Sequence, residues 1–156
     1  MDRSKACCFT GHRDIGPDFN KDLLSRGVSY LINRGVDTFI VGGALGFDTL
    51  VAQAVLEAKR ENPNIKLWVF TPCQNQDASW SPSDKKIYKD ILSRADYVDM
   101  PNTGYYAGCM KDRNYKMVDN ASFCICYYDG TFKSGTGQTY RYAQKCGLTI
   151  YNLYNR

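Results

Sequence analysis

The stretch FIVGGALGFDTLVAQAV, residues 39–55, begins as a strand and ends as a helix. Residues 39–41 are an unbroken apolar run, and Leu50, Val51, Ala54 and Val55 then recur at helical spacing. Between them stand Gly42, Gly43, Ala44, Gly46 and one carboxylate, Asp48. A glycine turn at such a joint lets backbone come close to a ligand, and the first amides of the helix favour an anion. The same residues also make a plain tight turn, with Asp48 as an acid in the first helical turn. The turn is neither G-x-G-x-x-G nor a Walker A loop, since no Gly-Lys-Ser/Thr follows.

The pattern repeats outward in both directions. Strands are expected at residues 5–11, 37–43, 65–72, 96–100, 122–130 and 148–154. Helices are expected at 17–35, 46–63, 81–95, 109–121 and 136–147, the third capped by Ser81 or Ser83. Strict alternation of strand and helix predicts an α/β fold: a three-layer, Rossmann-like single domain over residues 1–156, with a mostly parallel sheet of about six strands. In such sheets ligands bind outside the carboxyl ends of the strands, where the strand order reverses.

Composition sets limits on the function. The chain has 156 residues, 44% hydrophobic and 23% charged, with a net charge of +4. That charge is mild and spread out, which counts against a nucleic-acid partner. No apolar run reaches the roughly 20 residues of a membrane span. The start MDRSKACCFTGHR lacks the apolar region of a signal peptide, so the expectation is a cytoplasmic protein. Seven cysteines and a single histidine form no common zinc pattern, so no metal is expected. Cys7, Cys8, Cys124 and Cys126 fall inside strands and read as small apolar side chains, whereas Cys73 and Cys109 fall in loops beside the candidate site.

The polar segments all follow strands. After the first comes Thr10, Gly11, His12 and Arg13; after the fifth comes Ser134, Gly135, Thr136, Gly137 and Thr139. The second set repeats the design of the first glycine turn: glycines and hydroxyls at a helix entry. Each set alone is also ordinary helix-entry chemistry, but two of them strengthen a phosphate reading. Both turns are expected to face one crevice, so that two helix N-termini suit a diphosphate or two separated anionic groups. Arg113 and Asn114 share a helical stripe with Met110, Met117, Val118 and Ala121, so the guanidinium needs either a structural ion pair or a bound anion. His12 is either a base or a hydrogen-bonding turn residue. Trp80, Tyr105 and Tyr106 lie in the two longer loops and either stack on a base or cover the core edge.

Four segments in this order, FTGHR, VGGALGFD, MKDRNYKMVD and SGTGQTYRYA, resemble the YpsA-like branch of the SLOG superfamily, which joins the DNA-processing Smf/DprA proteins to the LOG phosphoribohydrolases. Gln76 and Trp80 resemble the same branch. The resemblance implies a small-molecule nucleotide or ADP-ribose-type ligand, no cofactor, and a homodimer or higher homo-oligomer. The implied role is a sensor, or a sponge that sequesters a nucleotide signal in phage defence. Alternatives are a LOG-like nucleoside 5′-monophosphate N-glycosidase and a nucleic-acid binder of the DNA-processing type. LOG enzymes carry a catalytic Glu where this chain has Thr139, which weighs against the hydrolase.

Overall fold

The computed structural model describes residues 2–17 and 19–154. Six strands alternate with five helices: β1 (Ala6–Gly11), α1 (Lys21–Ile32), β2 (Thr38–Val41), α2 (Phe47–Glu61), β3 (Lys66–Phe70), α3 (Pro82–Arg94), β4 (Tyr97–Asp99), α4 (Cys109–Asp119), β5 (Phe123–Tyr127), α5 (Gly135–Lys145) and β6 (Thr149–Asn152). A 3-10 turn, Arg3–Lys5, precedes β1 and was not foreseen in the sequence. The expected elements are all present, with trimmed ends. Strand β2 stops at Val41, so Gly42 and Gly43 belong to the turn. Helix α1 starts only after Asn20, whose side chain accepts from the Leu23 amide. At α3 the cap is Ser81, which accepts from the Asp84 amide, with Pro82 suited to the first helical position.

The sheet order is β4-β3-β2-β1-β5-β6, and every pairing is parallel. The alternation along each strand divides the core in two. Cys7, Phe9, Phe39, Val41, Leu67, Val69 and Ile125 meet Leu24, Val28 and Leu31 of α1, Val51 and Val55 of α2, and Ile91 of α3. Ala6, Cys8, Ile40, Phe70, Cys124 and Cys126 meet Met117 and Val118 of α4 and Ala143 of α5. Helices therefore cover both faces, which is why the strands read as unbroken apolar runs. The strand cysteines are buried in the core. Cys73 and Cys109 are buried as well, so their place beside the site gives their thiols no access to solvent.

Strands β1 to β4 build outward in one direction, and β5 then returns to the far side of β1. The order reverses between β1 and β5, where Gly11 pairs with Tyr127 at the carboxyl edge. Because all strands are parallel, the segments after β1, β2 and β5 reach this same edge.

Candidate functional site at the carboxyl edge of the sheet

A cleft of about 300 Å3 opens at the reversal. Thr10, Gly11, His12 and Arg13 enter it from β1, Ala44 and Asp48 from the glycine turn and α2, Met110, Arg113 and Asn114 from α4, and Ser134, Gly135 and Thr136 from the start of α5. Elements far apart in sequence converge there because β5 lies beside β1.

Arg113 anchors the floor. It is 8% exposed. Its Nη1 donates to the carbonyls of Gly42 and Phe70, and its Nε donates to Asn114 Oδ1 at 2.7 Å. Among the described residues Nη2 has only the Met110 sulfur, at 3.7 Å, a weak acceptor. Asp48 is equally buried, and its Oδ2 accepts from the Ala44 amide at 3.2 Å. The two charged groups close on one point: a Cβ on Gly42 would stand 2.8 Å from both Arg113 Nη1 and Asp48 Oδ2. Burial pushes the Asp48 carboxyl above its ordinary range, partly offset by Arg113 and the neighbouring amides. Burial likewise lowers Arg113, with Asp48 pulling the other way. For both groups desolvation outweighs attraction.

The two glycine turns differ in what they leave open. Gly46 has φ +79°, and a Cβ there would lie 2.1 Å from the Arg13 carbonyl oxygen. The first amide of α2, on Phe47, donates to the His12 carbonyl at 3.3 Å. The expected pair of helix N-termini is therefore reduced, because the segment after β1 lies across the start of α2. At α5, Ser134 accepts from the Gly137 amide at 2.9 Å, while the Gly135 and Thr136 backbone lines the cleft. Gly137 packs under the Thr131 and Phe132 carbonyls, and the Thr139 hydroxyl donates to Gly135 O at 2.8 Å. Both are packing positions behind the cleft. Thr139 is 3% exposed, so no carboxylate stands where a LOG enzyme has its Glu.

His12 Nε2 accepts from the Asp129 amide at 3.1 Å. The Asp129 Oδ1 lies at the same distance from that nitrogen. Hydrogen bonds from Thr131 are the main cause holding the Asp129 carboxyl below its usual range, with His12 a smaller one.

Trp80 and Tyr106 border two neighbouring cavities that share wall residues with the cleft. Trp80 packs edge-on against Tyr88, with ring centroids 5.1 Å apart, beside a small cavity that also touches Gly43. Gln76 Nε2 links the Tyr88 hydroxyl to the Gly43 carbonyl. Tyr106 donates to Asp112 at 2.9 Å and borders a separate cavity of about 140 Å3. A larger cavity of about 530 Å3, with Asp14, Asn20, Tyr127, Asp129 and Tyr154 on its walls, did not emerge from the sequence. Only the pairing of β1 with β5 brings Tyr127 and Asp129 next to the loop after β1.

Among the described residues no group of three or more His, Cys, Asp or Glu side chains could hold a metal ion, and no helix is long and apolar enough to cross a membrane.

Comparison with known proteins places this geometry in context. A UPF0398 protein of Halalkalibacterium halodurans is 31% identical over 120 residues, covering 76% of this chain and 64% of the relative. A UPF0398 protein of Bacillus thuringiensis is 30% identical over 116 residues, covering 73% and 63%. The chain thus spans a little under two thirds of the length of the curated relatives it matches. Among solved structures, DNA processing protein A from Helicobacter pylori, described for its single-stranded DNA binding mode, superposes with a TM-score of 0.68. That match has 20% identity and covers 93% of this chain and 63% of the other, a likeness of fold. The model of the YspA SLOG family matches residues 3–153, nearly the whole described chain. With the alternating fold, the glycine turns and the Arg113 helix in place, the chain belongs to the YpsA family of SLOG proteins.

Proposed function

We propose that the cleft binds the phosphate end of a nucleotide, a nucleoside phosphate or an ADP-ribose-type molecule. One convergence supports this reading: Arg13, Arg113, Thr136 and the start of α5 all line one cavity, and among the described residues Arg113 Nη2 has no acceptor stronger than the Met110 sulfur. Guanidinium, hydroxyl and helix-start amides are the donors that phosphate oxygens take. Asp48 is the one carboxylate lining the cleft, and it is committed to Ala44 and faces Arg113. Without an acid at Thr139, the proposed role is binding without turnover, as a sensor or a sequestering protein for a nucleotide signal of the kind used in phage defence. A homodimer belongs to the same proposal, with exposed Tyr30, beside the apolar groove between α1 and β6, as its contact.

Calorimetry with inorganic phosphate, AMP, ADP-ribose and NAD tests the reading. Saturable binding of at least one is expected, with no base released on prolonged incubation. Base release abolished by Asp48→Asn would instead establish the glycosidase.

One observation favours a second reading, single-stranded nucleic acid. Phe132, on the loop entering α5, is 67% exposed and stacked on the Arg141 guanidinium at 3.9 Å, a ring presented for base stacking. Oligonucleotide binding that weakens steeply with salt and is lost in Phe132→Ala would support it.

A further inference from the structure

The 530 Å3 cavity on the α1 side of the reversal and the 300 Å3 cleft on the α4 and α5 side share one wall residue, His12. Both volumes fall in the roughly 300–1,000 Å3 range of small-molecule sites. Their chemistry is opposite. The smaller presents Arg13 and Arg113 beside one carboxylate, Asp48, which accepts from the Ala44 amide. The larger presents Asp14 and Asp129, with no Lys or Arg among its described lining residues. An anion placed in the larger cavity would meet two carboxylates. Sugar hydroxyls, which donate hydrogen bonds, would be accepted by them.

The larger cavity also has an aromatic wall. Tyr127 is held between Phe47, stacked at 6.1 Å between centroids, and Phe19, edge-on at 4.9 Å. Tyr154 meets Tyr127 edge-on at 5.3 Å and lines the same cavity. Rings fixed in this way offer a surface to a base at little entropic cost.

We propose that this cavity is the nucleoside subsite of the phosphate cleft: phosphate lies on the Arg113 side, ribose hydroxyls reach Asp14 and Asp129 past His12, and the base lies against Tyr154 and Tyr127. The proposal rests on the phosphate reading above. It moves the base away from Trp80 and Tyr106: the cavities their rings border also share wall residues with the cleft, but at about 20 and 140 Å3 they are too small for a nucleoside.

The experiment is calorimetry with inorganic phosphate, ribose 5-phosphate and the four common nucleoside 5′-monophosphates. The proteins are wild type, Asp14→Asn, Tyr154→Ala and Trp80→Ala, each first shown to melt as wild type does. Affinity is expected to rise from phosphate to ribose 5-phosphate to at least one nucleotide. Tyr154→Ala should weaken that nucleotide roughly 10-fold, the scale of one stacked base, and leave phosphate unchanged. Asp14→Asn should weaken both ribose-bearing probes and not phosphate. Phosphate bound as tightly as every nucleotide would overturn the subsite and leave the cleft standing. So would a nucleotide lost in Trp80→Ala but intact in Tyr154→Ala. If none of the probes binds wild type, the phosphate reading falls and the subsite falls with it.

Discussion

Asp48 and Arg113 meet over the α-carbon of Gly42, each 2.8 Å from the point where a Cβ would stand. Gly42 itself has no left-handed backbone, so it is required by close approach and not by conformation. Gly42→Ala is expected to push the guanidinium and carboxylate apart, at the roughly 1–3 kcal/mol of an overpacked core. For a domain of this size that lowers the melting temperature by about 2–12 °C. A variant that melts with wild type would mean that the two side chains have room to move.

The two turns that look alike in sequence should respond oppositely to the same substitution. Gly46→Ala meets both a positive φ and the Arg13 carbonyl, and should destabilise severely or prevent folding. Gly135 opens onto space within which no heavy atom lies closer than 4 Å, at the first position of α5. Gly135→Ala should leave stability unchanged or raise it by about 0.5 kcal/mol. A Gly135→Ala protein that melts normally yet binds phosphate more weakly would mark that space as the ligand's.

This contrast also separates what was legible in the sequence from what was not. Short apolar runs located the strands, because both faces of the sheet are covered, and the 3.6-residue period located the helices, because each buries one apolar side. The segments at the carboxyl edge followed from parallel alternation alone. What a single turn cannot reveal is which neighbour lies across it. That Arg13 covers Gly46 depends on a contact between loops distant in sequence, and that Trp80 leans on Tyr88 depends on how its loop folds back on α3. The cavity beside Tyr127 depends on β5 pairing with β1, which no local pattern specifies.

Ser134 caps α5 through the Gly137 amide. Ser134→Ala should cost about 1 kcal/mol, a typical cap, read as a drop of roughly 2–4 °C in melting temperature. Ser134→Asp, which restores an acceptor but adds negative charge beside the cleft, should recover stability while weakening phosphate binding. Recovery of both would place the bound anion away from the start of α5.

Asp48 gives the domain a pH dependence whose sign follows from its surroundings. Its folded carboxyl is raised above the ordinary 3.8 chiefly by burial, so the folded state holds the proton more tightly than the unfolded chain. Stability from this group is full below the ordinary value and falls as pH rises through the raised one. Relative to Asp48→Asn, which does not titrate, wild type should therefore lose ground as pH rises above the ordinary 3.8. Thermal melts of both proteins across rising pH are the measurement. A wild type that gains ground instead would show that Arg113 outweighs desolvation.

The sequence leaves Arg113 either a structural partner or a bound anion, and the structure gives its Nη1 a structural task, joining the carbonyls that follow β2 and end β3. Arg113→Ala removes those bonds and leaves buried carbonyls unsatisfied and Asp48 without its opposing charge, a loss of about 1–3 kcal/mol for each group left unpaired. Arg113→Met retains volume but suffers the same loss of charge. Combining Arg113→Met with Asp48→Asn removes the stranded carboxylate, so the double variant should be more stable than the sum of the single losses predicts. The expected coupling is about 1–3 kcal/mol, measured by denaturant unfolding of all four proteins. Additive losses would mean that the two residues act independently and that Gly42 serves only Arg113.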